Sequence, residues 1–240
     1  MSITVCGLDM GISNTSSICV LRGDKWNIDC VKIEAIQSIS APDLEHVVAR
    51  YNAIYKPNLF IMELNGPGGT FAPYIERNQP QIPLATIDVA TPLPEGYELK
   101  IWDDIVVDST MVLNIRAAMY WILRLMFRDQ KIKLYFDDEE LEVQLGTLQW
   151  DVDTNRGDKI YMVNKKKLKF KSSELDSEPF SKSPDKADSL ALAILAYTII
   201  MQNEIDENIE FGQSVDENDI IDPITAGFFQ LDQITEEAVN

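Results

Sequence analysis

Apolar residues in the first 36 positions fall in short blocks or alternate with polar ones, and three strands follow from this, over residues 2–9, 16–22 and 25–36. Arg22-Gly23-Asp24 lies between the second and third and predicts a tight turn, so the three read as an antiparallel meander. The period then changes. In SAPDLEHVVARYNAIYK (40–56), Leu44, Val47, Val48 and Tyr51 recur at helical spacing, with Ser40 placed to cap the helix and Pro42 in its first turn. NLFIME (58–63), bounded by Pro57 and by Asn65-Gly66, predicts a fully buried strand. A helix over 67–78 beginning at a Gly-rich turn, a strand over 84–90 and a long helix over 108–130 capped near Asp108 or Ser109 come next. KIKLYF (131–136) reads as a strand and DDEELEVQL (137–145) as a short acidic helix. LGTLQWDVD (145–153) and DKIYMVN (158–164) predict two strands joined as a hairpin through Asn155-Arg156-Gly157-Asp158, and SPDKADSLALAILAYTIIM (183–201) a strongly apolar helix. No internal repeat interrupts the series. Strands before a helix, then strand–helix units and a long last helix, imply an α/β fold with a mixed sheet and helices on its faces.

Composition refines this reading at few points. A chain of 240 residues suits one large domain or two small ones. It has no apolar run of about 18 residues, and MSITVCG lacks a basic leader region, so neither a membrane span nor a signal peptide is expected. Cys6, Cys19 and Cys30 form no CxxC spacing and read as reduced core thiols of a cytoplasmic protein. The net charge of −18 argues at first against a nucleic-acid partner. Its distribution alters that. From Asn203 onward lie 11 acidic residues and no Lys or Arg, and the rest of the chain sets 28 acidic residues against 21 basic ones, or −7. The expected division is a folded domain over 1–202 and an acidic, mobile tail over 203–240, whose one apolar patch, ITAGFFQL (224–231), fits a docking peptide and, equally, a few sticky residues of a tail.

Three acidic residues stand where propensity does not want them. Asp9 ends the first strand, Glu63 ends the buried run LFIME, and Asp188 lies in the last helix among Ala187, Leu190 and Ala191. A lone buried carboxylate costs several kcal/mol or takes up a proton. Three at the ends of core elements point to a shared cation, and oxygen ligands without His or Cys favour Mg²⁺ or Mn²⁺. Each has a plainer reading singly, as a loop or helix residue facing water. Asp185 shares a helix face with Asp188 at a spacing of three and also suits the first turn of a helix. Taken alone, ITVCGLDMGISNTSS (3–17) fits a phosphate-cradling loop as well as a metal ligand. His46, the only histidine, falls in a predicted helix away from these motifs, which disfavours His-dependent hydrolysis. From Lys159 to Lys171 the chain carries six lysines and no acid, with Tyr161, Val163 and Phe170 interleaved, as in a β-ribbon with one basic face, although a charge run is more often just a solvated surface. Arg116, Arg124 and Arg128 recur at helical spacing and would extend that face or lie beside a core stripe.

The order of GLDMG, IMELNGPGG, a helix carrying Asn114-Ile115-Arg116, a lysine-rich strand end and SPDKADSLALA resembles the nuclease domain of the large subunit of tailed-phage terminases. The resemblance runs from about residue 3 to 200. SPDKADSLALA is its most specific part, and Gly157 to Lys165 comes next. It implies a ribonuclease H-like fold of the integrase and resolvase type, with an added β-hairpin. It also implies a metal-dependent endonuclease that cuts double-stranded viral DNA with little sequence specificity during genome packaging. Asp9, Glu63 and Asp188 would be the catalytic, metal-binding triad, with Asp185 an accessory ligand or structural residue. Many relatives carry Asp where this chain has Glu63, and either holds a metal. Two Mg²⁺ or Mn²⁺ ions would clamp the scissile phosphate, one activating water and the other stabilising the leaving 3′ oxygen, with Asp9 bridging both. Lys165 matches the family's recurring lysine best, with Lys167 second. Lys165, Lys166, Lys167, Lys169 and Arg116 would contact DNA phosphates.

The partners implied are double-stranded DNA, a terminase ATPase domain, a portal and a small subunit, in the host cytoplasm, with no membrane. No GxxxxGK[ST] motif occurs, so the chain is expected to be an isolated nuclease half or the product of a split gene. Three other readings remain open. An actin- or sugar-kinase-like ATPase would use GLDMGISNTS as its phosphate loop but needs two similar halves. A junction-resolving nuclease would share the carboxylates and differ in substrate. A non-catalytic packaging module would keep only a vestigial site.

Overall fold

The computed structural model describes residues 2–11, 16–36, 40–102, 104–163 and 185–210, the last eight by their backbone alone. The lysine-rich stretch after Val163, the first two residues of the helix expected over 183–201, and the ITAGFFQL patch lie outside them.

Three strands form the meander: β1 (Ile3–Asp9), β2 (Ser16–Gly23) and β3 (Ile28–Ile36), antiparallel in sequence order. Helix α1 (Ala41–Tyr55) follows, with Ser40 as its cap. The Ser40 side chain accepts the Asp43 N–H while the Asp43 carboxylate accepts the Ser40 N–H, a reciprocal capping box. Strand β4 (Leu59–Glu63) lies parallel to β1, and after α2 (Gly68–Asn78) strand β5 (Leu84–Ile87) lies parallel to β4. Strand β8 (Ile132–Leu134) adds parallel to β3. Among the described residues these make one six-stranded mixed sheet, ordered β5-β4-β1-β2-β3-β8. An actin-like ATPase needs two such halves, and the described residues hold one.

Both faces of this sheet are covered. Ile3, Val5, Cys19, Leu21 and Ile61 pack on one side against α3 (Ile115–Arg128) and α5 (Asp185–Glu210). Cys6, Leu8, Ile18, Val20, Phe60 and Met62 pack on the other against α1 and α2. Two covered faces account for apolar runs in β1 and β4 that do not alternate with polar residues. The three cysteines are free and buried, in keeping with core thiols. No helix of the described residues is long and apolar enough to cross a membrane.

Two β-hairpins complete the described structure. β9 (Trp150–Asp153) and β10 (Lys159–Met162) pair antiparallel across the turn expected for them. The other hairpin, β6 (Glu98–Trp102) with β7 (Ile105–Asp108), corrects the sequence reading. A helix was expected from residue 108, but α3 begins at Ile115. Asp108 and Ser109 are good capping types, yet the Asp108 carboxylate caps a turn, accepting the N–H groups of Thr110 and Met111. The helix cap is Asn114, whose side chain accepts the Ala117 N–H at 3.0 Å. Strand β5 also stops short of residue 90. The carbonyls of Val89 and Thr91 turn away from the sheet to accept the N–H groups of Arg116 and Ile115, tying the start of α3 to the end of β5.

The acidic helix α4 (Glu139–Thr147) sits two residues later than expected, capped by Asp138, and α5 runs on to Glu210 rather than stopping near 201.

Candidate metal centre

Side chains alternate across a strand, so the face of each site residue follows from its buried neighbours. Asp9 shares the parity of Ile3, Val5 and Gly7, which face α5. Glu63 shares the parity of Ile61, on the same side. The parallel register pairs Leu8 with Met62, so Asp9 and Glu63 end adjacent strands at the same edge and face the same way. Both are partly buried.

The third carboxylate arrives by helix packing. α5 crosses β1 so closely that a Cβ on Gly7 would lie 2.1 Å from the Ser189 carbonyl oxygen and 2.4 Å from the Ala193 nitrogen. Ser17, directly opposite Asp9 in the β1–β2 pair, shares a 2.9 Å hydrogen bond between hydroxyls with Ser189. Those contacts set Asp188, in the first turn of α5, over the end of the sheet where Asp9 and Glu63 lie. Glu63 is held from its own backbone. A Cβ on Gly68 would lie 1.7 Å from the Glu63 carbonyl oxygen, so only glycine lets α2 start against the end of β4.

Asp188 is almost fully buried, its side chain 2% exposed. Its Oδ1 accepts from the Arg116 guanidinium at 2.5 Å and from the Tyr120 hydroxyl. Sequence reasoning had placed Arg116 on a DNA-facing surface; the structure places it against Asp188, 23% exposed. Burial works against the charge of Arg116, but Asp188, Tyr120, Glu63 and Asp9, in descending order, outweigh it and hold its pKa above the ordinary arginine range. One guanidinium thus lies in the field of all three predicted carboxylates. Tyr120, which sequence analysis did not single out, has its ionisation pushed far up by burial and then by Asp188. Its phenol stays a hydrogen-bond donor to the carboxylate.

The first turn of α5 is fixed by α4. Gln144 Oε1 accepts the Ala187 N–H at 3.0 Å, satisfying a helix-terminal donor in a buried setting. Lys186 pairs with Asp138 at 2.8 Å and Glu140 at 2.9 Å. Asp185 is buried at this same turn. His46 is exposed on α1. Arg124 stacks over Trp121 and Trp150, and Arg128 pairs with its neighbour Asp129, so neither sits with the carboxylates. Lys165, Lys166, Lys167 and Lys169 lie outside the described residues.

In donor chemistry the cluster fits a hard divalent cation: carboxylates on one face of one sheet edge, with the Arg116 guanidinium in their field. Among the described residues, no three acidic, His or Cys side chains are already arranged around an ion position. Asp188 is engaged with Arg116 and Tyr120 instead.

No family model matches the chain's sequence, and no curated protein matches it either. Solved structures do resemble its fold. The nuclease domain of the large terminase subunit of bacterial virus Sf6 matches with a TM-score of 0.62 at 14% identity, over 80% of this chain and 87% of that one. A mutant of that domain with manganese gives 0.58 at 13% identity, over 80% and 88%. The large terminase nuclease of thermophilic phage G20c with bound magnesium gives 0.50 at 16% identity, over 80% of each chain. The chain has the ribonuclease H-like fold of the nuclease domains of phage large terminase subunits.

Proposed function

We propose that the chain is a metal-dependent endonuclease of a phage DNA-packaging machine, cutting double-stranded DNA with little sequence specificity by two-metal phosphodiester hydrolysis. The observation that carries this reading is the convergence of Asp9, Glu63 and Asp188 at one sheet edge, each on a different core element, in a fold shared with terminase nucleases. That two of those relatives are structures with manganese or magnesium supports the choice of ion.

In this reading Asp9, on the strand between β2 and β4, would hold the ions together with Glu63 and Asp188. Bound there, the ions would activate the attacking water and stabilise the leaving 3′ oxygen. Asp185, one turn before Asp188, is the accessory acid. Tyr120 orients Asp188 by donating to its Oδ1. Lys165, Lys166, Lys167 and Lys169 hold the DNA through its phosphates, which carry no sequence information. Residues 1–202 act as the nuclease domain. The acidic segment from 203 onward carries ITAGFFQL as the docking peptide for an ATPase domain, portal or small subunit.

Nicking of supercoiled plasmid tests the proposal. We expect Mn²⁺- or Mg²⁺-dependent relaxation, lost by at least about a hundredfold in Asp9→Ala and in Asp188→Ala, with both variants folded by circular dichroism. Full activity in both would sink the triad assignment, and equal cutting of linear duplex and four-way junctions would set the chain apart from junction resolvases.

A further inference from the structure

Arg116 stands in the field of Asp188, Glu63 and Asp9 at the proposed centre and is not one of its ligands. Asp188 is 2% exposed, and a buried carboxylate without a counter-charge would cost several kcal/mol or hold a proton. Arg116 supplies that charge from Nη2 at 2.5 Å, on the Oδ1 atom that also takes the Tyr120 hydroxyl. Its backbone is fixed too, by the N–H bond to the Val89 carbonyl at the end of β5, so the guanidinium is anchored near the sheet edge. An arginine does not lose its proton in a protein, so this positive charge is permanent.

We propose that Arg116 is the built-in counter-cation of the carboxylate cluster, holding the fold together without metal and setting the affinity for divalent ions, which bind only as Asp188 is released from it. This rests on the metal-centre reading above. The physical argument is competition for one carboxylate. A divalent ion at Asp188 must displace the guanidinium from it, because even the oxygen that Arg116 and Tyr120 do not share lies within a few Å of the same fixed positive charge. That displacement lowers its affinity. The exchange also accounts for the lack, among the described residues, of three acidic side chains around a common point: Asp188 is turned to its internal cation. Such a centre closes only when the ion, or the ion with its phosphate substrate, outcompetes the guanidinium.

Calorimetric titration with Mn²⁺ and thermal melting with and without it test this, on the full chain. Arg116→Gln should bind Mn²⁺ about tenfold or more tightly, melt lower than the native chain without metal, and gain more from Mn²⁺. Arg116→Lys keeps the charge and should restore weak binding. Tyr120→Phe removes a hydrogen bond but no charge and should change the affinity little. Arg116→Gln binding no more tightly than the native chain overturns the proposal. The native chain supplies a second measurement that needs no variant. Saturating Mg²⁺ should move the Arg116 guanidinium ¹⁵N–¹H resonances from a protected to a solvent-exchanging state, and unchanged resonances at saturation overturn it equally. Asp9→Ala separates the two claims. Loss of Mn²⁺ binding there, with no effect of Arg116→Gln, sinks only the role of Arg116. Absence of saturable Mn²⁺ binding in the native chain sinks the metal centre and the exchange together.

Discussion

At Gly7 and at Gly146 the same missing side chain means opposite things. A Cβ on Gly7 would stand 2.1 Å from the Ser189 carbonyl, whereas nothing lies within 4 Å of one on Gly146, inside α4. Gly7→Ala must therefore lift α5 off β1, and with it Asp188 and the Ser17–Ser189 bond. We expect a loss of about 3 kcal/mol or more, at the upper end of overpacking costs, measured by urea unfolding. Gly146→Ala should gain up to about 1 kcal/mol, since alanine suits a helix interior better and meets no obstacle. Equal effects would mean that the α5–β1 contact is looser than the geometry says. The residue chemistry of the site was legible to the same uneven degree. Asp9, Glu63 and Asp188 stood out because each breaks an apolar run. Gly68 was marked by its position after a strand end. Arg116 was not legible as a partner of Asp188, because a basic residue on an amphipathic helix looks the same whether it faces water or a carboxylate 72 positions away.

The elements that sequence reasoning placed well are those fixed by local interactions. The Ser40–Asp43 capping box defines α1 within four residues, and the turn between β9 and β10 carries its own signals. The β6–β7 hairpin and the start of α3 were missed because non-local contacts decide them. Leu99, Ile101, Ile105 and Val107 do alternate, but only the covering by α3 and α5 makes that alternation a strand pair rather than a helix approach. The docking of α4 on α5 is likewise invisible locally, and it is testable through pH. Asp138 both caps α4, accepting the Leu141 N–H, and pairs with Lys186, 15% and 13% exposed. Burial works against its ionisation, but Lys186 and the cap outweigh it and hold its pKa below the ordinary aspartate value. A carboxyl with a depressed folded pKa adds stability that is present above the unfolded value, about 4, and fades as pH falls through the folded one. Asp138→Asn keeps a capping side chain and loses the charge, so we expect about 1 kcal/mol of destabilisation at pH 7. That difference should begin to shrink as pH falls below about 4 and go on shrinking as pH falls through the folded value, where the native chain takes up the proton. Asp138→Ala should lose about 1 kcal/mol more throughout that range, because the cap goes too. A variant difference independent of pH would show that Lys186 does not draw on Asp138.

At the scale of the whole molecule, charge is unevenly distributed along the chain. Residues 211–240 hold seven of the 39 acidic residues and none of the 21 basic ones. A chain ending at Glu210 keeps α5 to its last described residue and carries 32 acidic residues against 21 basic, or −11 in place of −18. Among the described residues, the apolar contacts that hold the sheet between its helices end at Met201, the last buried one. Truncation should therefore leave the melting temperature within about 2 °C of the full chain, because few stabilising contacts are expected to be lost. It should nonetheless alter the reaction. DNA approaching a strongly negative molecule is repelled, and the repulsion reaches about 30 Å at 0.01 M salt but only about 3 Å at 1 M. If residues 211–240 act mainly through their charge, the shortened chain nicks plasmid several-fold faster than the full one near 0.02 M salt. The advantage then falls towards unity by about 0.5 M, with the log of the rate ratio declining steadily with the log of salt. A ratio of one at every salt concentration would place that charge out of reach of the DNA path. A ratio that stays high at 0.5 M would instead mean that the segment covers the site by contact, since screening removes a field and leaves an apolar contact in place.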